Sequence, residues 1–234
     1  LTVIVVANTP DEELADNIRV NSAMELPWLR MEKAHDRTAI MVGGGPSAED
    51  HIEDIRALQQ EGGVVFAMNA ASSWLRTFGI VPNYQVIADA QPGTASLVDP
   101  WARAHLFASQ VNPSTMKAVA MPTVWHLALE NIEDLFPAER KRRGGYALTG
   151  GGTTVGNTAL CVAYAMGHRK FDLYGYDSSH KGEASHAYDQ PMNQFIPTAD
   201  VEWAGKTYHC SVAMKAQAEK FQITARDLME AGCT

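Results

Sequence analysis

The 234-residue chain predicts an α/β fold, a Rossmann-like open and mostly parallel sheet with helices on both faces. Three observations carry that expectation. Short apolar runs alternate with helical segments, the pattern of a parallel sheet covered by helices. Two glycine-rich stretches, Gly43-Gly44-Gly45 and Gly150-Gly151-Gly152, open directly into helical segments. Polar residues (Asn69, Asp89 and Asp177) close predicted strands, where open α/β sheets gather ligand-binding groups.

In order, Thr2 to Ala7 reads as a strand closed by Asn8-Thr9-Pro10. Asp11 is placed to cap a helix with Glu12 and Glu13 in its first turn; the helical region breaks near Pro27 and resumes from Trp28 to Ala34. Thr38 to Val42 is a buried strand. Three glycines then let the backbone turn sharply, and Ser47 can cap a helix through Ala48 to Leu58. Unpaired N–H groups and the helix dipole make Gly43, Gly44, Gly45, Pro46 and Ser47 a site for a nucleotide phosphate. A tight βα turn whose glycines serve only close packing would leave the same pattern.

Val64 to Met68 reads as the next strand, with Asn69 at its end, then a short helix from Ala71 to Phe78. Asn83 to Ala88 is a third strand, ending on Asp89 and a Pro92-Gly93 turn. Trp101 to Ser109 reads as helix, Met116 to Met121 as strand and Leu127 to Phe136 as a short helix. Arg140-Lys141-Arg142-Arg143 is the only basic cluster, either a solvated corner or a holder of phosphate or an acidic acceptor. The second glycine stretch precedes an apolar helix, Asn157 to Met166, at whose start Gly151, Gly152, Thr153 and Thr154 offer amides and hydroxyls. No Gly-Lys-Ser/Thr follows, so it is not a Walker A loop. Lys170 to Tyr174 reads as another buried strand, ending in Gly175-Tyr176-Asp177. A polar loop from Ser178 to Tyr188, a hairpin from Phe195 to Tyr208 around Ala204-Gly205, and an amphipathic helix from Val212 to Met229 complete the chain. The whole reads as a single α/β domain over 1–234: an N-terminal arm (1–37), a nucleotide-binding core (38–178), and a polar loop with C-terminal helix (179–234).

A formal charge of −8 argues against nucleic acid and anionic membrane surfaces as partners, so an anionic ligand must be held by local amides and a few basic groups. No run approaches the roughly 18 apolar residues of a membrane span. Three widely spaced cysteines, Cys161, Cys210 and Cys233, fit free thiols in a reducing cytoplasm. The first residue is Leu1, which leaves targeting open.

His186 lies in the polar loop after a strand end, where a histidine can act as general base near neutral pH; an exposed loop histidine is the alternative. His180 repeats the pattern more weakly. Asp89 and Asp177 can reach a ribose hydroxyl, a metal or the substrate, or else cap their own loops. Asn69 can bond a base or a phosphate oxygen. No Cys/His spacing resembles a zinc site, and Gly-x-Ser-x-Gly is absent.

The ordered set Gly43-Gly44-Gly45-Pro46-Ser47, Asn69, Ile80-Val81-Pro82-Asn83 leading to Asp89, the second glycine turn, Tyr174-Gly175-Tyr176-Asp177 and Ser185-His186-Ala187 resembles the MptE-like family. That family includes archaeal 6-hydroxymethyl-7,8-dihydropterin diphosphokinases and the Maf proteins linked to flagellin glycosylation. The set is also distantly similar to bacterial sialyltransferases that use CMP-sialic acid, from which Gly44 departs because they tend to carry asparagine there. The resemblance spans roughly residues 15 to 190.

The sialyltransferase similarity implies that Gly43 to Ser47 and Asn69 lie against the nucleotide, Thr153 and Thr154 near its phosphate or sugar, and that His186 deprotonates the acceptor hydroxyl. The leading expectation is a transferase taking a CMP-sugar donor and a small-molecule or glycan acceptor, with no required cofactor. The diphosphokinase similarity implies instead ATP phosphates on the same turns, with Asp89 or Asp177 placing Mg²⁺. Trp74, Trp125 and Tyr176 would then be candidates to stack a pterin, or simply core and rim residues. A non-catalytic nucleotide-binding module is the third reading, and a homo-oligomer stays open.

Overall fold

The computed structural model describes residues 9–127, 134, 148–152, 154–189 and 197–234. Seven strands, β1 (Thr38–Val42), β2 (Val64–Met68), β3 (Tyr84–Ile87), β4 (Ala104–Ala108), β5 (Thr123–Leu127), β6 (Leu148–Thr149) and β7 (Lys170–Tyr174), form one sheet. All its pairings are parallel, in the order β6-β5-β4-β3-β2-β1-β7. The helices are α1 (Asp11–Ala23), α2 (Ile52–Gln60), α3 (Ala71–Thr77), α4 (Pro113–Met116), α5 (Val155–Ala165) and α6 (Val212–Glu230). A separate antiparallel hairpin, β8 (Thr198–Trp203) and β9 (Lys206–Ser211), precedes α6.

Alternation along the central strands sends side chains to two cores. Ile40, Val42, Val65 and Ala67 pack with Ile52 and Ile55 of α2 and Leu75 of α3. Ala39, Met41 and Phe66 face the other way, in one cluster with Ala159, Leu160, Val162 and Ala163 of α5. Burial on both faces is why these strands read as unbroken apolar runs. Strands β1 to β6 advance in one direction; α5, packed across β1, β2 and β3, then carries the chain back to lay β7 beside β1. The winding therefore reverses between β1 and β7, the place where open α/β sheets leave a crevice.

Several expectations are corrected. Trp101 to Ser109 is not helical, because Ala104–Ala108 is the interior strand β4. Five apolar residues suit either state, and pairing with β3 and β5 decides it. The strand expected over Met116 to Met121 is displaced to β5, since Asn112 caps the short helix α4 by accepting the Ser114 N–H at 3.0 Å. Trp28 to Ala34 is an extended strap: Leu29 N–H donates to Val124 O, Glu32 N–H to Ala165 O and His35 N–H to Gly167 O. With those donors taken by other elements, a helix there has no advantage. β7 is an edge strand rather than a buried one, with Leu173 38% exposed.

Asp11 begins α1 instead of capping it. Ser47 caps nothing, because Pro46–His51 is a 3₁₀ turn leading into α2 with Gly45 at its N-cap and no side-chain cap. The hairpin about Ala204-Gly205 and the C-terminal helix stand as expected. The strand over Thr2 to Ala7, most of the helix over Leu127 to Phe136, the basic cluster Arg140 to Arg143, Thr153 and Phe195 lie outside the described residues. Among the described residues no helix is long and apolar enough to cross a membrane.

Candidate functional site

The carboxyl ends of β1, β2 and β7 open into a cleft of about 300 Å³, floored by Gly43, Gly44, Gly45, Asn69 and Gly175. Its first wall is the start of α5 (Thr154 to Asn157), its second the polar loop (Ser185, His186, Tyr188), and its third a face of α6 (Met214, Gln217, Ala218, Phe221). The first glycine turn and the helix start that follows the second glycine stretch thus meet at one cavity, with His186 across it.

The first turn works differently from expectation. Gly43 N–H donates to Tyr174 O at 2.8 Å, Gly45 N–H to Gly175 O at 2.9 Å and Ser47 N–H to the Asp177 carboxylate at 3.2 Å. These amides zip the turn onto the segment after β7. A Cβ on Gly43 would stand 2.5 Å from Gly175 O, and one on Gly45 would run into the Asp177 carboxylate, so close backbone approach requires both glycines. Asp177 is therefore a structural acceptor at the start of the 3₁₀ turn, where its negative charge takes the place expected for a phosphate. Pro46 and Ser47 do not line the cleft.

Gly44 is the exception. Its N–H has no acceptor among the described residues, and its carbonyl accepts the Ala187 N–H at 3.0 Å, drawing the polar loop over the turn. A Cβ at Gly44 would lie 2.8 Å from the Tyr188 hydroxyl and 3.2 Å from His186 Cδ2. Ser185 Oγ and His186 Nδ1 are 2.9 Å apart. Burial, helped by the nearby His180, lowers the His186 pKa from its ordinary 6.5, so the imidazole is neutral at pH 7.

Asn69 adopts a left-handed φ of 50°, its carbonyl accepts from Gln85 Nε2 at 2.9 Å, and its buried Oδ1 has no partner among the described residues. At the second turn, Thr154 caps α5 by accepting the Asn157 N–H at 3.2 Å. The N–H groups of Val155 and Gly156, one and two residues on, have no acceptor among the described residues. Asn157 is 3% exposed, and its Nδ2 also has no partner among the described residues. The Tyr176 hydroxyl donates to Gly156 O at 3.1 Å, and burial pushes its pKa far up, so it stays a neutral donor.

Of the sequence-predicted residues, Gly43, Gly44, Gly45, Asn69, Thr154 and His186 are brought together at the cleft. Gly151 and Gly152 do not line it: Gly151 packs against the backbone of Asn157 and Thr158, and Gly152 against Lys220. Asp89 is turned to its own loop, where Oδ1 accepts the Gln91 N–H at 3.0 Å. Trp125 is fully buried in the core; Trp74 packs on Phe78 and Tyr188, and Tyr176 lines the cleft. Among the described residues no group of three or more His, Cys, Asp or Glu side chains is placed to hold a metal ion. Tyr188, Asn157 and the α6 face escape the sequence reading; the spacing of Met214, Gln217, Ala218 and Phe221 marks one helix face but not what it lines.

Comparison with solved structures finds the Maf glycosyltransferase from Magnetospirillum magneticum AMB-1, with a TM-score of 0.71 at 21% identity over 95% of this chain and 35% of that one. At that identity the likeness establishes the fold, and the chain spans about a third of that glycosyltransferase. No curated protein matches significantly. The family model described as MptE-like, 6-hydroxymethylpterin diphosphokinase MptE-like, matches residues 12–183. With most of its length matched, from α1 through the sheet and both glycine turns to the polar loop after β7, the chain belongs to the MptE-like family.

Proposed function

We propose that the cleft binds a nucleotide-activated donor and that the chain carries the donor-handling domain of a transferase, with a CMP-sugar as donor and an acceptor hydroxyl as nucleophile. One observation carries the reading. Gly44, Val155 and Gly156, whose N–H groups have no acceptor among the described residues, line a single cleft with the neutral His186. Amides at a helix start suit the phosphate of a leaving nucleotide, whose charge grows as the bond to the sugar breaks. In the tautomer that donates Nδ1–H to Ser185 Oγ, Nε2 is the basic nitrogen of His186. The acceptor oxygen forms its bond to the anomeric carbon, the carbon–phosphate-oxygen bond breaks, His186 takes the hydroxyl proton, and the nucleotide leaves with the electron pair. The likeness to the Maf glycosyltransferase supports this reading.

The family's description favours a second reading, Mg²⁺- and ATP-dependent pyrophosphoryl transfer to a hydroxymethylpterin. Against it, the two carboxylates that would place Mg²⁺ do not line the cleft, and each accepts a backbone N–H, Asp177 from Ser47 and Asp89 from Gln91. Calorimetric titration with CMP, and with ATP in the presence and absence of Mg²⁺, separates the two. CMP binding without metal is expected, and binding of ATP alone would transfer the assignment to the diphosphokinase. His186→Ala is expected to keep CMP affinity within a few-fold while turnover falls about 10²–10⁴-fold. A non-catalytic binding module would be indifferent to the same change.

A further inference from the structure

We infer that Lys220 of α6 supplies the countercharge for the anionic group of the ligand, a phosphate ester on the nucleotide reading above, and that this group sits at the start of α5 rather than on the first glycine turn. The first turn is ill suited to it, because three of its amides have protein acceptors and the Asp177 carboxylate lies beside Gly45. The second turn has the opposite character. Lys220 lays its stem across Gly152: a Cβ there would meet Cε at 2.8 Å, Cγ at 3.2 Å and Cδ at 3.4 Å. Any larger residue at 152 would push the lysine off the turn.

The stem contact with Gly152 sets Lys220 beside the loop that leads into α5, and its charge acts on the Cys161 thiol, which takes the Gly150 N–H. Asp227 also acts on that thiol but makes no ion pair with Lys220. Lys215 on the same helix pairs with Glu219 at 3.5 Å, and Lys181 in the polar loop pairs with Asp50 at 2.6 Å. Among the described residues Lys220 has no carboxylate partner, in a chain of net charge −8.

The unclaimed donors accumulate a few residues past Gly152, at the start of α5. Among the described residues the N–H groups of Val155 and Gly156 have no acceptors, and Asn157, 3% exposed and lining the cleft, has no partner for its Nδ2. A half-buried lysine beside a helix start with orphan donors, and with no ion-paired carboxylate among the described residues, is arranged for an anion that arrives with the ligand. Lys220 lies beyond the family match, which ends at residue 183, so the last helix adds an anchor outside the matched region.

The test is calorimetry of wild type, Lys220→Met and Lys220→Arg with CMP, cytidine and inorganic pyrophosphate. Lys220→Met keeps the stem over Gly152 and removes the charge. It is expected to weaken CMP about tenfold or more and to leave cytidine unchanged, with Lys220→Arg retaining most of the affinity. The wild-type advantage should shrink at high salt. Unchanged CMP affinity in Lys220→Met, or an equal loss for cytidine, overturns the role of Lys220. If wild type binds pyrophosphate in a Lys220-dependent way but not CMP, the nucleotide reading fails and the anion site stands. Absence of binding by all three probes removes both.

Discussion

At the scale of single residues, Gly44 governs how the polar loop meets the sheet. Its missing side chain makes room for the Tyr188 hydroxyl and the edge of His186, which lie over it. Gly44→Ala should therefore displace the general-base candidate without breaking the core, where overpacking costs typically about 1–3 kcal/mol. The expected result is a fall of at least about tenfold in CMP affinity or turnover, with only a modest drop in melting temperature. His186 adds a pH signature. Burial and His180 hold its pKa below the ordinary 6.5, so a base-dependent rate should rise with pH through that lowered pKa and level off by neutrality. A rate that keeps climbing well above pH 7 would exclude His186 as the base.

At the scale of elements, two junctions decide whether the cleft exists. Thr154 fixes the first turn of α5 by accepting the Asn157 N–H, and with it the direction in which Val155 and Gly156 present theirs. Thr154→Ala should cost about 1 kcal/mol, the usual worth of such a cap, and weaken CMP as well, which thermal melts and calorimetry check together. Asp177 ties the turn after β7 to the 3₁₀ turn after β1 through Ser47 N–H. Asp177→Ala removes a charged acceptor from a part-buried donor and should destabilise the protein by about 1–3 kcal/mol. A catalytic carboxylate would instead lose turnover at unchanged stability, so a stable but dead Asp177→Ala would refute the structural role given to it.

Across the whole molecule, the doubly covered sheet buries groups far from the cleft that respond to acid. His168, 1% exposed just before β7, lies 2.9 Å from Arg37 O through Nδ1 and packs edge-on to His35 and Phe66. Burial pulls its pKa down to about 4. The unfolded chain takes up that proton near pH 6.5 and the native one only near pH 4, so stability falls with pH across that window and levels off below it. The loss amounts to at most about 3 kcal/mol, from 1.36 kcal/mol for each unit of difference. Denaturant midpoints between pH 7 and 4 measure it, and His168→Gln should flatten the slope.

The sequence by itself determined the α/β class, the strands β1, β2, β3 and β7, the helix after each glycine-rich stretch and the C-terminal helix. It also named six residues that the fold gathers at the cleft. These were legible because strand–turn–helix junctions are local: apolar runs, glycines and caps lie within a few residues of one another. Tertiary structure alone decided the rest. Ala104–Ala108 is a strand because its neighbours β3 and β5 offer pairing on both sides, which its five residues cannot declare. The amides of Gly43 and Gly45 go to the last residue of β7 and the one after it, more than a hundred residues on, because the reversal of winding sets β7 beside β1. Lys220 lies over Gly152 because α6 folds back on α5. Hydrogen-bond partners distant in sequence leave no local pattern, so the assignment of each polar group to scaffold or ligand waits on the packed chain.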